Sequence, residues 1–355
     1  MKSNNIAIFS TTDSLGGAEQ VLYKIAKFYS EQEANAIKII FFKPKTTQYW
    51  QENLNRDVEI IYINNKFGKL ISYLKKNKFE IVFSSHLMLN ALLGILRNLK
   101  ILKTKRLVGR ESTTIFGRYS GVKLLQYRLA YWLGYRKLDL VITQTDTMRA
   151  QLLKALPYLK KRTKVETIKN PFTYPEKKET QETIDITGEF IVSAGRLIPE
   201  KGFTILISAF KKLSDDYPTL KLVILGEGIL RQKLETQIKA LKLEETVILK
   251  GHANNVYPYF RRAKLCVVSS IREGFPNVLL QMMSQNQKVA STKCAGDIDQ
   301  ISGLYLAEIN NVESLYSAIK GGLTSNDSHK KQLFDTELDS HSIKAFIKKI
   351  TNFIE

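Results

Sequence analysis

Short runs of β-branched and apolar residues recur along this chain, and segments of helical period separate them. In the first half the runs are IAIFS (6–10), AIKIIFF (36–42), VEIIYI (58–63), EIVFSS (80–85), KRLVG (105–109), DLVITQ (139–144) and KVETI (164–168). The second half repeats the scheme with FIVSAG (190–195), KLVILG (221–226), TVILKG (246–251), KLCVVSS (264–270) and KVASTK (288–293). Between them, segments such as AEQVLYKIAKFYSE carry apolar residues at helical spacing. The strand runs do not alternate apolar with polar residues, so both faces are expected to be covered, as in a parallel sheet with flanking helices. Two successive series predict two doubly wound, Rossmann-like α/β domains facing a cleft, with ligands at the C-terminal ends of the strands.

A polar stretch with two prolines, IKNPFTYPEKKETQET (168–183), interrupts the alternation. It places a first domain over residues 1–170 and a second over 171–355. The last segment, HSIKAFIKKITNFIE (341–355), predicts a helix counted with the second domain, with the option of crossing back over the first. A length of 355 residues agrees with two cores. No N-terminal stretch has the form of a signal peptide, and no apolar run reaches the roughly 18 to 20 residues of a membrane span. Cys266 and Cys294 lack metal-ligand spacing, and Cys266 reads as a buried thiol. A cytoplasmic protein is expected.

Charge changes the picture. The formal net charge is +20, and its distribution is uneven. Residues 1–170 hold 30 Lys+Arg against 12 Asp+Glu, whereas residues 171–355 hold 24 against 22. A basic half beside a neutral one points to a polyanionic partner for the first domain, a membrane surface or nucleic acid. FGRYSGVKLLQYRLAYWLGYRK (116–137) combines both properties, with Leu125, Leu129, Trp132 and Leu133 on one side and Tyr127, Tyr131 and Tyr135 on another. It reads either as a membrane-contacting helix or as a buried inter-domain one.

Candidate chemistry lies at strand-to-helix turns. SAGRLIPEKG (193–202) sets Arg196 and Lys201 around a turn that begins at Gly195, and a guanidinium fork with an ammonium at a helix start suits a diphosphate. LGEGILRQKL (225–234) has Gly226 and Gly228 but no third glycine of a dinucleotide fingerprint, and its glycines permit close approach to the backbone. GHANNVYPYFRRA (251–263) offers Asn255 on a loop that could face a nucleobase. SSIREGFPNVLLQMM (269–283) puts Glu273 on a turn before a helix, with Pro276 near the first turn. A carboxylate there accepts bonds from neighbouring sugar hydroxyls, and the N–H groups of Gly274, Phe275 and Asn277 offer a phosphate cradle. TDSLGGAEQVLYKIA (12–26) sets Gly16 and Gly17 at a helix entrance in the first half.

GGAE, GRL-x3-KG, G-x-G and S-x3-EGFPNVLL, in this order, resemble the retaining nucleotide-sugar glycosyltransferases of family 4, which have the GT-B fold. The resemblance runs from Gly16 to beyond Met283. It implies that Arg196 and Lys201 bind the donor diphosphate and that Glu273 contacts the donor sugar. It also implies that Gly16 and Gly17 lie beside the phosphates and acceptor, and that no metal or other cofactor is required. Two departures stand out. The family's second glutamate is Gln281 here, which can hold one ribose hydroxyl but cannot accept from two as a carboxylate does. A histidine common near a central strand end is replaced by Arg110 and Glu111. His86, at another strand end, is a candidate cleft residue, or else a helix-start cap or core neighbour.

The expected reaction moves a hexose or N-acetylhexosamine from a nucleotide sugar to a lipid-linked or glycan acceptor in bacterial polysaccharide synthesis. An anionic membrane surface is the expected partner of the basic domain, and nucleic acid is not expected, because no zinc spacing or recognition motif accompanies the charge. An epimerase or phosphorylase on the same fold stays open. Asp297 and Asp299 form a D-x-D pattern that helix capping explains better than metal binding.

Overall fold

The computed structural model describes residues 4–32, 35–55, 58–116, 118–326 and 329–355. Gly117, within the predicted 116–137 segment, and the first three residues lie outside the described residues. The chain divides into two compact units: one runs to Pro171 and takes up Ser342–Glu355, and the other is Phe172–His341. The final helix is therefore placed with the first unit and not with the second domain as drawn at 171–355. This division gathers 33 Lys+Arg and 13 Asp+Glu in the first unit and 21 of each in the second. The whole formal charge of +20 belongs to the first unit.

The first unit holds seven strands, β1 (Asn4–Ser10), β2 (Asn35–Phe41), β3 (Glu59–Tyr62), β4 (Lys78–Ser85), β5 (Lys103–Arg110), β6 (Leu140–Thr143) and β7 (Lys164–Thr167). They form one sheet in the order β3-β2-β1-β4-β5-β6-β7, with every pair parallel. Successive residues of β1 go to opposite faces: Ile6 and Ile8 pack with Val21, Ile25 and the final helix, while Ala7 and Phe9 pack with Leu70, Leu93 and Leu107. Two buried faces explain the absence of alternation in the sequence. The final helix, Ile343–Ile354, presents Phe346, Ile347, Ile350 and Ile354 to the first of these faces, and Ser342 caps its start by accepting from Ala345 N.

The second unit holds β8 (Phe190–Ala194), β9 (Lys221–Leu225), β10 (Val247–Gly251), β11 (Leu265–Val268), β12 (Val289–Thr292) and β13 (Tyr305–Ala307). Their order is β10-β9-β8-β11-β12-β13, again parallel throughout. All twelve predicted strands are present. The thirteenth, β13, is only three residues long and half-buried at Tyr305 and Leu306, which leaves no apolar run to read.

One buried carboxylate fixes the loop after β1. Asp13 is fully buried and accepts from Thr46 N (2.9 Å), Thr47 N (3.1 Å), the Thr46 hydroxyl and the Tyr62 hydroxyl (3.2 Å), while its carbonyl accepts from Trp50 Nε1 (2.8 Å). Burial works against its ionisation, but these donors outweigh it and hold the carboxyl below its ordinary value. Asp13 thereby ties the approach to Gly16 to the chain leaving β2. Asp13→Ala removes the buried acceptor of four partly buried hydrogen bonds and should cost on the order of 1–3 kcal/mol in urea unfolding. A depressed native pKa contributes stability above the unfolded value of about 3.9 and loses it as pH falls through the native value, so the gap between variant and wild type should narrow below about pH 4.

Candidate active site

In the second unit three strand-to-helix loops meet at the C-terminal edge of the sheet. The loop after β8 carries Gly195, Arg196 and Leu197, makes a 3-10 turn over Pro199–Lys201, and enters the helix Phe203–Asp216 through Gly202 at φ 65°. A Cβ on Gly202 would lie 2.1 Å from Ser269 O, so only glycine lets this turn touch the loop after β11. That second loop is tied to the first by Ile271 N donating to Glu200 O (2.7 Å) and by the Ser269 hydroxyl donating to Lys201 O (2.9 Å).

These ties bring Lys201 and Glu273 together. Lys201 Nζ donates to Glu273 Oε1 at 2.6 Å, and the Ser270 hydroxyl donates to the same oxygen at 2.9 Å. Both side chains are largely shielded, at 17% and 19% exposed. Glu273 N donates to Cys294 O (2.8 Å), which fixes the backbone behind the carboxylate. Burial and then the Glu273 charge push the Cys294 thiol up to about 12, so it stays protonated and inert. Glu273 Oε2 and two of the three Lys201 protons have no partner among the described residues. Arg196 is exposed and likewise has no side-chain partner among them. The site thus presents two cations and one half-used carboxylate on a rigid edge.

The neighbouring residues fall into place unevenly. Gly274 and Pro276 are buried, Phe275 lies with its ring 6.0 Å from the His341 ring, and Pro276 sits just before the helix Asn277–Gln285, not inside its first turn. Gln281, on that helix, reaches Tyr257 Oη at 3.5 Å. The space a side chain at Gly226 would fill is taken by Gly195 O, 1.9 Å from the Cβ position, and at Gly228 by Leu197 O. These two glycines therefore make room for the main chain of the Arg196 loop, which Leu197 N to Glu227 O (2.9 Å) and Leu230 N to Leu197 O (3.0 Å) lock. Asn255, half-buried on the loop expected to face a nucleobase, donates its amide to Glu179 O (2.7 Å) and accepts from Tyr257 N (3.1 Å), pinning the segment after Pro171. Asp297 occupies the cap position of a short 3-10 turn at φ 66°, without the side-chain cap bond expected of it.

In the first unit the candidate residues also lie at strand ends, but most are interior. Gly16 precedes the helix Gly17–Ser30, and a Cβ there would meet the Glu19 carboxylate at 2.6 Å. Glu19 is buried and faces His86, with 3.7 Å between Oε1 and Nε2. His86 follows β4 at φ 78°, an unusual value for a side chain of this size, and its Nδ1 is buried with no hydrogen-bond partner among the described residues. It occupies the start of the helix Leu87–Asn98 without capping it through its side chain.

Arg110 ends β5 and is buried, donating to Asn170 Oδ1 (2.5 Å) and Ser85 Oγ (3.4 Å). Burial lowers its pKa to about 10 against the opposing charges of Glu111 and Glu19. Glu111 is a structural acceptor, contrary to its expected place facing a ligand. It is enclosed by the hydroxyls of Tyr131 (2.8 Å) and Tyr135, and burial raises its carboxyl despite those donors. Asn90 completes the network, bonding the Ser84 hydroxyl, Arg110 O and Tyr135 Oη. Glu19, Ser270 and Asn90 were not among the expected site residues. Glu19 stood in the GGAE pattern, whereas nothing in the sequence marks Asn90.

Residues 175–333 match the family described as glycosyl transferases group 1. The uncharacterized glycosyltransferase MJ1059 of Methanocaldococcus jannaschii is 29% identical over 284 residues, 76% of this chain and 68% of that protein. A Campylobacter jejuni protein, N-acetylgalactosamine-N,N'-diacetylbacillosaminyl-diphospho-undecaprenol 4-alpha-N-acetylgalactosaminyltransferase, is 36% identical over 153 residues, 42% of this chain and 41% of that one. Anabaena Alr3699/HepE, solved in complex with UDP-glucose, superposes with a TM-score of 0.79 at 19% identity, covering 98% of both chains. The fold is GT-B, and the family match with these relatives supports a glycosyltransferase.

A double-mutant cycle checks that the shielded ion pair holds the two loops together. Lys201→Met and Glu273→Gln should each destabilise, and their coupling in chemical denaturation should be roughly 1–3 kcal/mol. A coupling below about 0.5 kcal/mol, the level of additive sites, would show that backbone ties alone set the loops.

Proposed function

We propose that this protein is a retaining, metal-independent transferase that moves a hexose or N-acetylhexosamine from a nucleoside diphosphate sugar, with uridine as the expected base. The second unit is the donor-binding one and the first the acceptor-binding one. The observation that carries the proposal is the Lys201–Glu273 pair at 2.6 Å, with an exposed Arg196 on the Lys201 loop that has no side-chain partner among the described residues. Lys201 and Arg196 are the groups to neutralise a diphosphate, and the free Glu273 Oε2 is the acceptor for a hydroxyl of the sugar attached to it.

Charge grows on the oxygen between the anomeric carbon and the diphosphate as that bond breaks. Lys201, held by its bond to Glu273, lowers the cost of that growth without rearrangement, and Arg196, on a loop locked by main-chain bonds, adds a second positive charge. The acceptor hydroxyl attacks the face that the diphosphate leaves, its oxygen bonds the anomeric carbon, and its proton passes to the leaving phosphate oxygen. The products are the glycosylated acceptor and a nucleoside diphosphate, with the anomeric configuration retained. Gln281 takes one ribose hydroxyl and weakens or redirects donor choice relative to a glutamate.

A lipid-linked acceptor of bacterial polysaccharide or lipopolysaccharide synthesis fits the basic first unit, as does a position at the cytoplasmic membrane surface. The diphospho-undecaprenol acceptor of the Campylobacter relative supports the same reading. Among the described residues, no helix is long and apolar enough to cross a membrane.

A panel of nucleotide sugars tested by thermal unfolding should give stabilisation with one donor, growing with ligand concentration. That stabilisation should disappear in Lys201→Ala and increase in Gln281→Glu. With an acceptor present, Lys201→Ala should lower turnover by about 10²–10³, and a chelator should leave wild-type turnover unchanged. Conversion of the donor without an acceptor would point to an epimerase. Near-normal turnover of Lys201→Ala would remove the assignment of the phosphate site.

A further inference from the structure

The helix Gly121–Gly134 leaves an apolar strip uncovered. Val122, Leu125, Leu129, Trp132 and Leu133 recur at helical spacing and are 44% to 74% exposed, whereas Ala130 and Tyr131 on its other side are buried. The strip ends at a strongly basic groove of about 1120 Å³. This groove lies by the beginnings of β6 and β7, at the opposite edge of the sheet from Arg110 and His86. Ten Lys or Arg side chains line it against Asp139, Glu166 and Glu355. Arg97 and Arg149 are matched to Asp139 (2.5 Å) and Glu166 (3.4 Å). Lys160, Lys161 and Arg162 are exposed and have no carboxylate partner among the described residues.

Arg136 joins the two features. Its guanidinium lies 4.7 Å from the Trp132 ring centroid and 5.0 Å from that of Tyr158, and its Nε is buried with no partner among the described residues. A guanidinium held against two rings has a fixed orientation, and its terminal NH2 groups, which have no hydrogen-bond partner among the described residues, suit a phosphate oxygen better than a mobile lysine does.

We propose that this groove is a headgroup site for anionic phospholipid and that it works together with the apolar strip as one membrane-docking surface of the first unit. The strip buries its aliphatic side chains and Trp132 at the acyl boundary, and the groove takes lipid phosphates beside it. Neither a soluble phosphate nor a nucleic acid would bury Leu125 and Leu129, and the continuity through Arg136 and Trp132 selects the bilayer. The surface is separate from the candidate active site, and its test does not require the transfer reading, because binding is measured without donor or acceptor.

Sedimentation of the full chain with vesicles of phosphatidylcholine, alone or with phosphatidylglycerol, checks the proposal. Three charge or polarity variants are compared: Lys160→Glu with Lys161→Glu in the groove, Leu125→Ser with Leu129→Ser on the strip, and Lys233→Glu with Lys239→Glu on the second unit. All six side chains are exposed, and equal melting temperatures show that each variant folds. Binding should need phosphatidylglycerol. The groove pair and the strip pair should each weaken it roughly tenfold or more, while the second-unit pair changes it less than about threefold.

Equal losses in the groove and second-unit pairs would overturn the site in favour of general charge attraction. Equal binding to neutral vesicles would overturn the headgroup role. Displacement from vesicles by millimolar inorganic phosphate at constant ionic strength would assign the groove to a small anion. Vesicle binding that survives the groove reversal, with duplex DNA binding lost, would assign it to nucleic acid. A dimer that Leu125→Ser with Leu129→Ser abolishes, without vesicle binding, would assign the strip to a second copy.

Discussion

An ammonium and a carboxylate held 2.6 Å apart need two loops whose backbones touch, and the edge of the second sheet is organised around that need. The loop bearing Lys201 is pressed against the loop bearing Glu273 where Gly202 meets Ser269 O, a contact any side chain would block. The Arg196 loop is in turn pressed against the Gly226–Gly228 turn, again backbone to backbone. Rigidity here has a chemical use. Dipoles and charges fixed before reaction stabilise a growing negative charge without having to reorganise, and the main-chain bonds between these loops help to supply that fixity. The cost is that glycines which read as openings for a ligand are already filled by protein.

The first unit solves a related problem by burial. Arg110, Glu111, Asn90 and two tyrosine hydroxyls form an interior polar network at the end of β4 and β5, in which Glu111 accepts from both tyrosines. Such a network, once satisfied, specifies one arrangement of its surroundings. The atoms it leaves without partners among the described residues, His86 Nδ1 and Arg110 Nε, lie at strand ends beside Glu19. Strain at His86 and unused donor capacity in the same neighbourhood mark where this unit departs from pure packing.

Strands were legible because buried parallel strands leave uninterrupted apolar runs, and twelve of thirteen announced themselves that way. β13 did not, since three residues, two of them half-buried, carry no periodicity. Lys201 and Glu273 were legible as residue types at strand-to-helix turns, but their mutual contact spans 72 positions and no local pattern encodes it. Glu111 shows the opposite failure. A charged residue at a strand end looks like a ligand-facing group until Tyr131 and Tyr135, 20 and 24 residues further on, enclose it. The charge asymmetry was visible, yet the full segregation of +20 onto one unit appeared only when the final helix was assigned to it.

That assignment has a consequence for how the chain is made. The first face of the N-terminal sheet is completed by Phe346, Ile347, Ile350 and Ile354, which follow Pro171 only after an entire second unit. At about 5–20 residues per second, roughly 10 to 30 s of translation separate the two parts. During that interval Ile25, Leu140 and Ile142 wait for their partners, while the second unit, continuous in sequence, is free to close its own core. The unit synthesised first is the one that matures last, and its half-finished sheet is the state on the ribosome most exposed to chaperones and to misassociation.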